Sequence, residues 1–336
     1  WHHIKEFYAE VGGAAPLWII IVNQAMTAYF DVGEAADLLM NGASGAIRVL
    51  AAAYTPPAGA VTVATGLPAA VITAIGEAKT FVARQFTAHK PVRVMLEGYA
   101  ITSPAGLTYD LRAIAGPNAY AVMVVVGRTS GTVSDDFDPA LVRHASVGTV
   151  LGRAARIPVH HNLARVRTGP INGVVSAEFS DGTSLADATD AELVALNTLG
   201  YVFFRVIPSL SGVFINDDHM ATVINSDYSA LLRGRVIDKA ARIAYTTYVQ
   251  ELNNDVELDA ATGFMALAVV KNLESVIETA IGTQMAGEIT SVDAFIEPAQ
   301  NILATDLLEV QLNIVPRGVA KNIKVTLAYA NPAAAA

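Results

Sequence analysis

The C-terminal stretch 308–329 carries the pattern that most constrains this chain, because apolar and polar residues alternate on both sides of a turn at 316–318. Such alternation predicts two β-strands, each with one apolar and one polar face. The apolar positions are Leu308, Val310, Leu312 and Ile314 before the turn and Val319, Ile323, Val325, Leu327 and Tyr329 after it. Because a lone two-stranded ribbon is marginally stable in water, we expect this hairpin to join a larger sheet, either its own or that of a neighbouring subunit.

The composition predicts a protein that hides much of its apolar surface by assembly. The chain has 336 residues, 53% of them hydrophobic and only 16% charged, so it is long enough for two domains and a substantial core. Its longest apolar runs, such as 17–22 and 120–127, fall short of the ~20 residues that a membrane span needs. The helical pattern begins at Trp1, so we expect a further N-terminal segment to precede it.

Charge and residue content exclude several classes of function. A net charge of −9 argues against general nucleic-acid binding, which needs a dense basic face. The chain has no cysteine, so it has no disulfide, thiolate metal site or thiol nucleophile. It also lacks a Gly-Lys dipeptide and a GxGxxG motif after any strand, so no nucleotide or other cofactor is predicted.

The first half of the chain alternates helical and strand patterns, which predicts a layered α/β domain. The predicted strands are apolar on both faces, as in a largely parallel sheet covered by helices on both sides. The predicted helices lie near 2–11, 33–41, 67–88 and 146–156, and the predicted strands near 17–22, 46–53, 92–98 and 119–127.

The second half contains two long helical patterns, at 227–252 and 262–285. They follow a short helix that we expect to be capped by Asp190 and closed by Gly200. We place the domain boundary near Pro208, which gives domains 1–207 and 208–336.

The 227–252 helix carries a charged surface with two possible roles. It is either solvated, as on most surface helices, or it forms ion pairs that fix the register of a subunit contact. Its charged residues are Arg233, Arg235, Asp238, Lys239 and Arg242.

One short motif suggests catalysis. The sequence GTSLA at 182–186 is similar to the stretch that carries the nucleophile of subtilisin-like serine proteases, and Asp110, His160 or His161, and Ser184 occur in that family's chain order. However, no aspartate lies in that family's Asp-Thr-Gly turn and no histidine precedes a glycine, so a solvated turn is favoured.

The histidine pairs do not predict a metal site. His2 and His3, like His160 and His161, are adjacent, and adjacent side chains point to opposite sides of a strand. Asp217 and Asp218 follow a strand, where such residues ordinarily form a turn.

Three stretches, 200–218, 226–252 and 296–329, together resemble the tail sheath proteins of contractile phage tails and related injection systems. The order of strand, turn, charged helix, second helix and closing hairpin carries the resemblance. It implies a subtilisin-like but non-catalytic α/β domain followed by an α+β sheath domain that ends in the hairpin 308–329. It also implies that the chain is not an enzyme.

The resemblance further implies a structural role in a virion tail or injection particle assembled in the bacterial cytoplasm. Subunits of that family stack as hexameric rings around an inner tube, and contraction drives the tube through a target envelope. The implied partners are other copies of the chain, the tube protein, and baseplate and tail terminator proteins, without nucleic acid or direct membrane insertion.

The same resemblance assigns inter-subunit strands to 308–315 and 319–329. It also makes Arg233, Arg235, Lys239 and Arg242 contacts to the tube if their helix faces it. Two alternatives stay open at this point: a subtilisin-like hydrolase that uses Ser184, and a non-contractile shell or tube component.

Overall fold

A computed structural model describes six stretches of the chain, which are 2–55, 63–114, 121–130, 143–174, 176–321 and 323–326. The helices in these residues are α1 (His2–Val11), α2 (Ala35–Gly42), α3 (Ala69–Thr87), α4 (Val147–Arg156), α5 (Asp190–Leu199), α6 (Leu231–Tyr248), α7 (Leu267–Gln284) and α8 (Ile302–Thr305). The strands are β1 (Val49–Ala52), β2 (Val63–Ala64), β3 (Leu67–Pro68), β4 (Arg93–Glu97), β5 (Val122–Val125), β6 (Gly127–Ser130), β7 (Ser176–Phe179), β8 (Phe204–Val206), β9 (Val213–Ile215), β10 (Ile289–Phe295) and β11 (Gln311–Pro316).

A parallel sheet in the order β1-β4-β5 forms the centre of the N-terminal half. Successive side chains of a strand point to opposite faces, so each strand contributes to two cores. Leu96 and Val124 pack on the side of α3, whereas Met95 and Met123 pack on the side of α4. The mixed helix and strand content therefore agrees with the predicted α/β class.

Helix α1 lies against α4 at very short range, because α4 has glycine where the two helices meet. A Cβ atom on Gly148 would lie 2.2 Å from the carbonyl oxygen of His3, and one on Gly152 would lie 2.7 Å from that of Phe7. These glycines allow the α1 backbone to pack directly on α4.

In the C-terminal half, α6 and α7 share an apolar core with the antiparallel sheet formed by β10 and β11. A buried ion pair joins this half to the central sheet. Arg93 of β4 donates from Nε to Oδ2 of Asp238 in α6 at 2.6 Å, and from a terminal nitrogen to Oδ1, also at 2.6 Å. Because the pair is bidentate, it fixes the orientation of α6 as well as its position.

Three local predictions need correction. The run 17–22 forms no strand, and no backbone hydrogen bond joins it to other described residues. The cap of α5 is Thr189 rather than Asp190, because the Thr189 hydroxyl accepts from the backbone N–H of Glu192 while the Glu192 carboxylate accepts from that of Thr189. Finally, β11 pairs with β10 and not with the segment after the 316–318 turn.

Among the helices in the described stretches, none is both long enough and apolar enough to cross a membrane.

Candidate assembly surfaces

The sheet of β10 and β11 has one face on the protein and one face in solvent. Leu312 and Ile314 of β11 pack towards the core of α6 and α7, opposite Ala294 and Val292 of β10, while Gln311 and Asn313 point outwards. Within the described residues this sheet has only two strands. Each strand therefore has one edge without a ladder partner. On β10 the outward N–H of Ala294 donates to Glu278 of α7, so the outer edge of β11 is the more open site for pairing with another chain.

The segment that follows β11 exposes the apolar positions of the predicted second strand. Residues 317–321 and 323–326 form no strand, and Val319, Ile323 and Val325 are 45%, 83% and 71% exposed. Leu327 and Tyr329 lie outside the described residues. Within the described residues β11 therefore pairs with β10, which follows α7 closely along the chain, and not with the segment after the turn.

A buried acidic pair holds this segment to the body of the protein at one point. The Nζ atom of Lys321 lies 2.6 Å from Oδ2 of Asp217 and 3.7 Å from Oδ1 of Asp218. Asn162 donates to both carboxylates, at 2.7 and 2.6 Å, and Asp218 also accepts from the backbone N–H of Leu232 at the start of α6. The local sequence predicts only an ordinary turn at the two aspartates and carries no sign that Lys321 contacts them.

Burial and the adjacent Asp217 carboxylate raise the pKa of Asp218, while Lys321 acts in the opposite direction. The positive charge of Lys321 in the C-terminal segment therefore influences whether Asp218 in the protein body is protonated.

All five charged residues predicted to face the tube or a neighbour make contacts within the chain, and four of them bind groups of distant elements. Arg235 donates to the carbonyl oxygens of Ala154 and Ile157 at the end of α4, and Asp238 pairs with Arg93. Lys239 pairs with Glu288. Arg242 donates to three backbone carbonyl oxygens of other elements. Arg233 is exposed and donates to the carbonyl oxygen of Asp227 at 3.4 Å.

An apolar groove of about 1380 Å³ lies along the free edge of β1. The run 17–22 lines one side of it, and Arg235, Lys239 and Arg242 of α6 also line it. Ile21 in this run is 89% exposed. The run therefore presents apolar side chains to solvent together with backbone groups that have no partner among the described residues.

The residues of the suggested catalytic triad are not assembled. The Ser184 hydroxyl accepts from the backbone N–H of Ala186, and Asp110 caps a short 3₁₀ turn by accepting from the N–H of Arg112. The rings of His160 and His161 contact each other, and among the described residues no histidine hydrogen bonds to Ser184. A solvated turn accounts for this motif.

The structure brings His2 together with Glu6 and with His144, which is distant in sequence. The sequence pattern paired His2 only with its neighbour His3. The spacing of four residues between His2 and Glu6 in a helix was a usable signal, because such residues lie on one face, but nothing in the sequence pointed to His144.

Comparison with solved structures finds similar chains at low sequence identity. A chain of the anti-feeding prophage (AFP) baseplate structure, determined by cryo-EM with 6-fold symmetry, has a TM-score of 0.60 at 11% identity, with coverage of 98% of this chain and 80% of that one. The sheath tail protein DSY3957 of Desulfitobacterium hafniense has a TM-score of 0.48 at 13% identity, with coverage of 84% and 60%. The contracted PVC sheath complex of an extracellular contractile injection system has a TM-score of 0.49 at 12% identity, with coverage of 74% and 67%.

The predicted resemblance to components of contractile particles is thus confirmed at the level of the fold by the AFP chain. No curated protein sequence matches this chain. Two family models do match, the DUF2586 N-terminal domain over residues 1–219 and the DUF2586 C-terminal domain over residues 227–334. Since the first model alone covers more than half of the sequence, the chain belongs to the DUF2586 family.

Proposed function

We propose that this chain is a structural subunit of a contractile tail sheath or a related injection particle. The observation that carries the proposal is the arrangement at the C-terminus, where an exposed segment with alternating apolar residues follows a two-stranded sheet that has open edges. An exposed strand-forming segment and an open sheet edge on the same chain are the two halves of a strand exchange between copies. The AFP baseplate chain, which has a related fold, supports a place in such a particle.

In this assembly the segment 319–329 of one copy adds as a strand to the β10–β11 sheet of a neighbour. Charge adds only a small favourable contribution, because the donated segment carries Lys324, whereas exposed Asp293 and Glu309 lie in or beside the receiving sheet. The segment 308–315 then acts mainly as part of the receiving sheet, since β11 is already paired with β10. Of the two segments predicted to be inter-subunit strands, 319–329 is thus the donated strand and 308–315 belongs to the sheet that receives it.

The proposed subunits stack as hexameric rings around an inner tube and shorten when a baseplate triggers them. A donated strand moves as one body with the sheet that it joins, so the lattice keeps its links while subunits rotate. Energy for this change is stored in the packing at assembly, so no nucleotide is needed. Arg233 is the charge of α6 most available to the tube or a neighbour, because it is exposed and contacts only the nearby Asp227 carbonyl, whereas the other four bind groups of distant elements.

Negative-stain electron microscopy of the purified chain, beside a variant truncated after Gly318, tests the proposal. A truncation after Pro298 would also remove β11 and with it Leu312 and Ile314, which pack on the core of α6 and α7. The Gly318 truncation keeps the receiving sheet and removes the donated segment. We expect striated hollow cylinders from the whole chain and monomers from the truncated one.

A pair of matched double variants sharpens the test. Ile323→Asn with Val325→Asn removes the apolar face of the donated strand, whereas Lys324→Asn with Thr326→Asn changes the other face by the same residue type. We expect the first variant to block assembly and the second to allow it. Equal behaviour of the two variants, or cylinders from the truncated chain, would refute strand exchange through this segment. Cylinders that never change length would instead favour a non-contractile shell.

A further inference from the structure

The first turn of α1 and the loop before α4 bring three possible metal ligands together in the interior. His2 and Glu6 lie on one face of α1, with 3.0 Å between Nε2 of His2 and Oε1 of Glu6. Nε2 of His144 lies 3.9 Å from the same Oε1 atom, and the His2 and His144 rings meet edge to face with centroids 4.2 Å apart. One ligand atom from each residue lies within 4.8 Å of the other two.

The surroundings of this cluster hold its carboxylate in place. Glu6 is 2% and His144 is 7% exposed. The second oxygen of Glu6 lies 3.1 Å from Nδ1 of His3, and the Thr129 hydroxyl donates to Oε1 at 3.3 Å. Glu6 therefore has polar partners on both oxygens, as carboxylates that bind metals generally do.

The donor set suits zinc. Two imidazoles and one carboxylate, with water in the fourth position, form a common zinc-binding set, with zinc about 2.0–2.2 Å from each nitrogen or oxygen ligand. Such bond lengths place ligand atoms about 3.3 Å apart in a tetrahedral site. The spacings of 3.0 and 3.9 Å from Oε1 of Glu6 to the two imidazole nitrogens fall on either side of this value, so small side-chain rotations bring these two spacings to it.

We propose that His2, Glu6 and His144 form a zinc site that ties α1 to the loop before α4. The side chain of His3 lies beside the cluster and is 28% exposed. The cluster is therefore close to the surface at this point, where an ion can enter from solvent. The ion would link two elements that already pack closely at Gly148 and Gly152. Imidazole ligands favour zinc over magnesium or calcium, which prefer all-oxygen sites.

The test uses the whole chain, purified without a histidine tag and treated with a chelator, then titrated with zinc chloride. We expect one zinc ion per chain by calorimetry and elemental analysis, and a rise in the thermal unfolding temperature on zinc addition. Magnesium and calcium should give neither effect. Binding of magnesium or calcium in place of zinc, or no stoichiometric zinc, would overturn the proposal.

Variants locate the site. Glu6→Gln and His144→Asn should abolish the zinc-dependent rise, and His3→Ala, which removes a partner of Glu6, should weaken zinc binding about 10–100-fold. Each variant is compared with its own metal-free form, so a general loss of stability does not affect the result. His161→Ala is the matched control, since it removes a histidine from the other adjacent pair. Loss of zinc binding in this control, with binding retained in His144→Asn, would place the ion elsewhere and refute the site.

Discussion

At the scale of single residues, buried ionic groups fix how the parts of this chain meet. The Arg93–Asp238 pair joins α6 to the central sheet, and the acidic pair Asp217 and Asp218 receives Lys321 from the C-terminal segment. Groups of this kind are costly to bury, and removal of one partner leaves the other charge uncompensated. They therefore specify one arrangement of the elements and exclude others.

Asp218→Asn is expected to flatten the dependence of the free energy of unfolding on pH. Burial and Asp217 raise the pKa of Asp218 above its ordinary value of 3.8, so the folded chain keeps a proton that the unfolded chain releases. Between the ordinary and the raised pKa, the contribution of Asp218 makes the free energy of unfolding fall as pH rises, by at most about 1.4 kcal/mol per pH unit.

Urea unfolding at several pH values from about 4 upwards measures this slope. The Asp218→Asn variant should lose the part of the fall that Asp218 causes, whereas Asp227→Asn, which changes an exposed acid, should leave the slope as it is. A slope in the Asp218→Asn variant that matches the original would contradict the assignment.

At the scale of elements, helices were predictable and long-range strand pairs were not. The pattern at 2–11 matches α1 and that at 67–88 contains α3, because helical periodicity and local breakers are written in neighbouring residues. By contrast, β11 was predicted as part of a strand, but its partner β10 was missed, since the choice of partner depends on packing against α6 and α7.

The candidate surfaces, too, could be predicted only where the signal lies in neighbouring residues. The alternation of Leu312 and Ile314 was visible in sequence, and in the structure both residues pack against the core of α6 and α7, a contact that the alternation alone does not identify. The contact of Lys321 with Asp217 joins residues more than a hundred positions apart, and local patterns carry no information on such a pair. The run 17–22 was wrongly predicted as a strand because β propensity does not supply a pairing partner.

The α1–α4 contact gives a prediction at this scale. Gly148→Ala should lower the free energy of unfolding by about 1–3 kcal/mol or more, because the new methyl group meets the backbone of α1 and overpacks the contact. Denaturant unfolding followed by circular dichroism measures the change. Gly76→Ala in α3 is the matched control, since a Cβ atom there has no neighbour within 4 Å. This substitution should raise the free energy of unfolding by about 0.5–1 kcal/mol. Equal effects at both sites would show that the two helices do not pack as closely as described.

At the scale of the whole molecule, exposed apolar side chains and backbone groups without partners occur together at two places among the described residues. The run 17–22 and the segment after β11 both show this combination. Such a surface is a liability in a monomer and an advantage in a subunit of an ordered assembly.

Ile21→Asn is expected to weaken assembly without an effect on folding. Because Ile21 is 89% exposed, the free energy of unfolding should change by no more than about 0.5 kcal/mol, while sedimentation velocity should show a higher concentration threshold for assembly. Val194→Asn, which changes an exposed residue of α5, should alter neither quantity. An unchanged threshold in the Ile21→Asn variant would mean that this run lies outside the subunit contacts.

The anchor at Lys321 sets a length for the link between proposed neighbours. Tyr329 lies eight positions after Lys321 in the sequence, and a fully extended chain spans at most about 3.3–3.6 Å per position, or about 26–29 Å for this stretch. While Lys321 stays on Asp217, the last apolar position of the donated strand moves within a sphere of that radius. In the proposed assembly this stretch would join neighbouring subunits as a tether of fixed maximum length, so that they could pivot about each other but could not separate beyond that length.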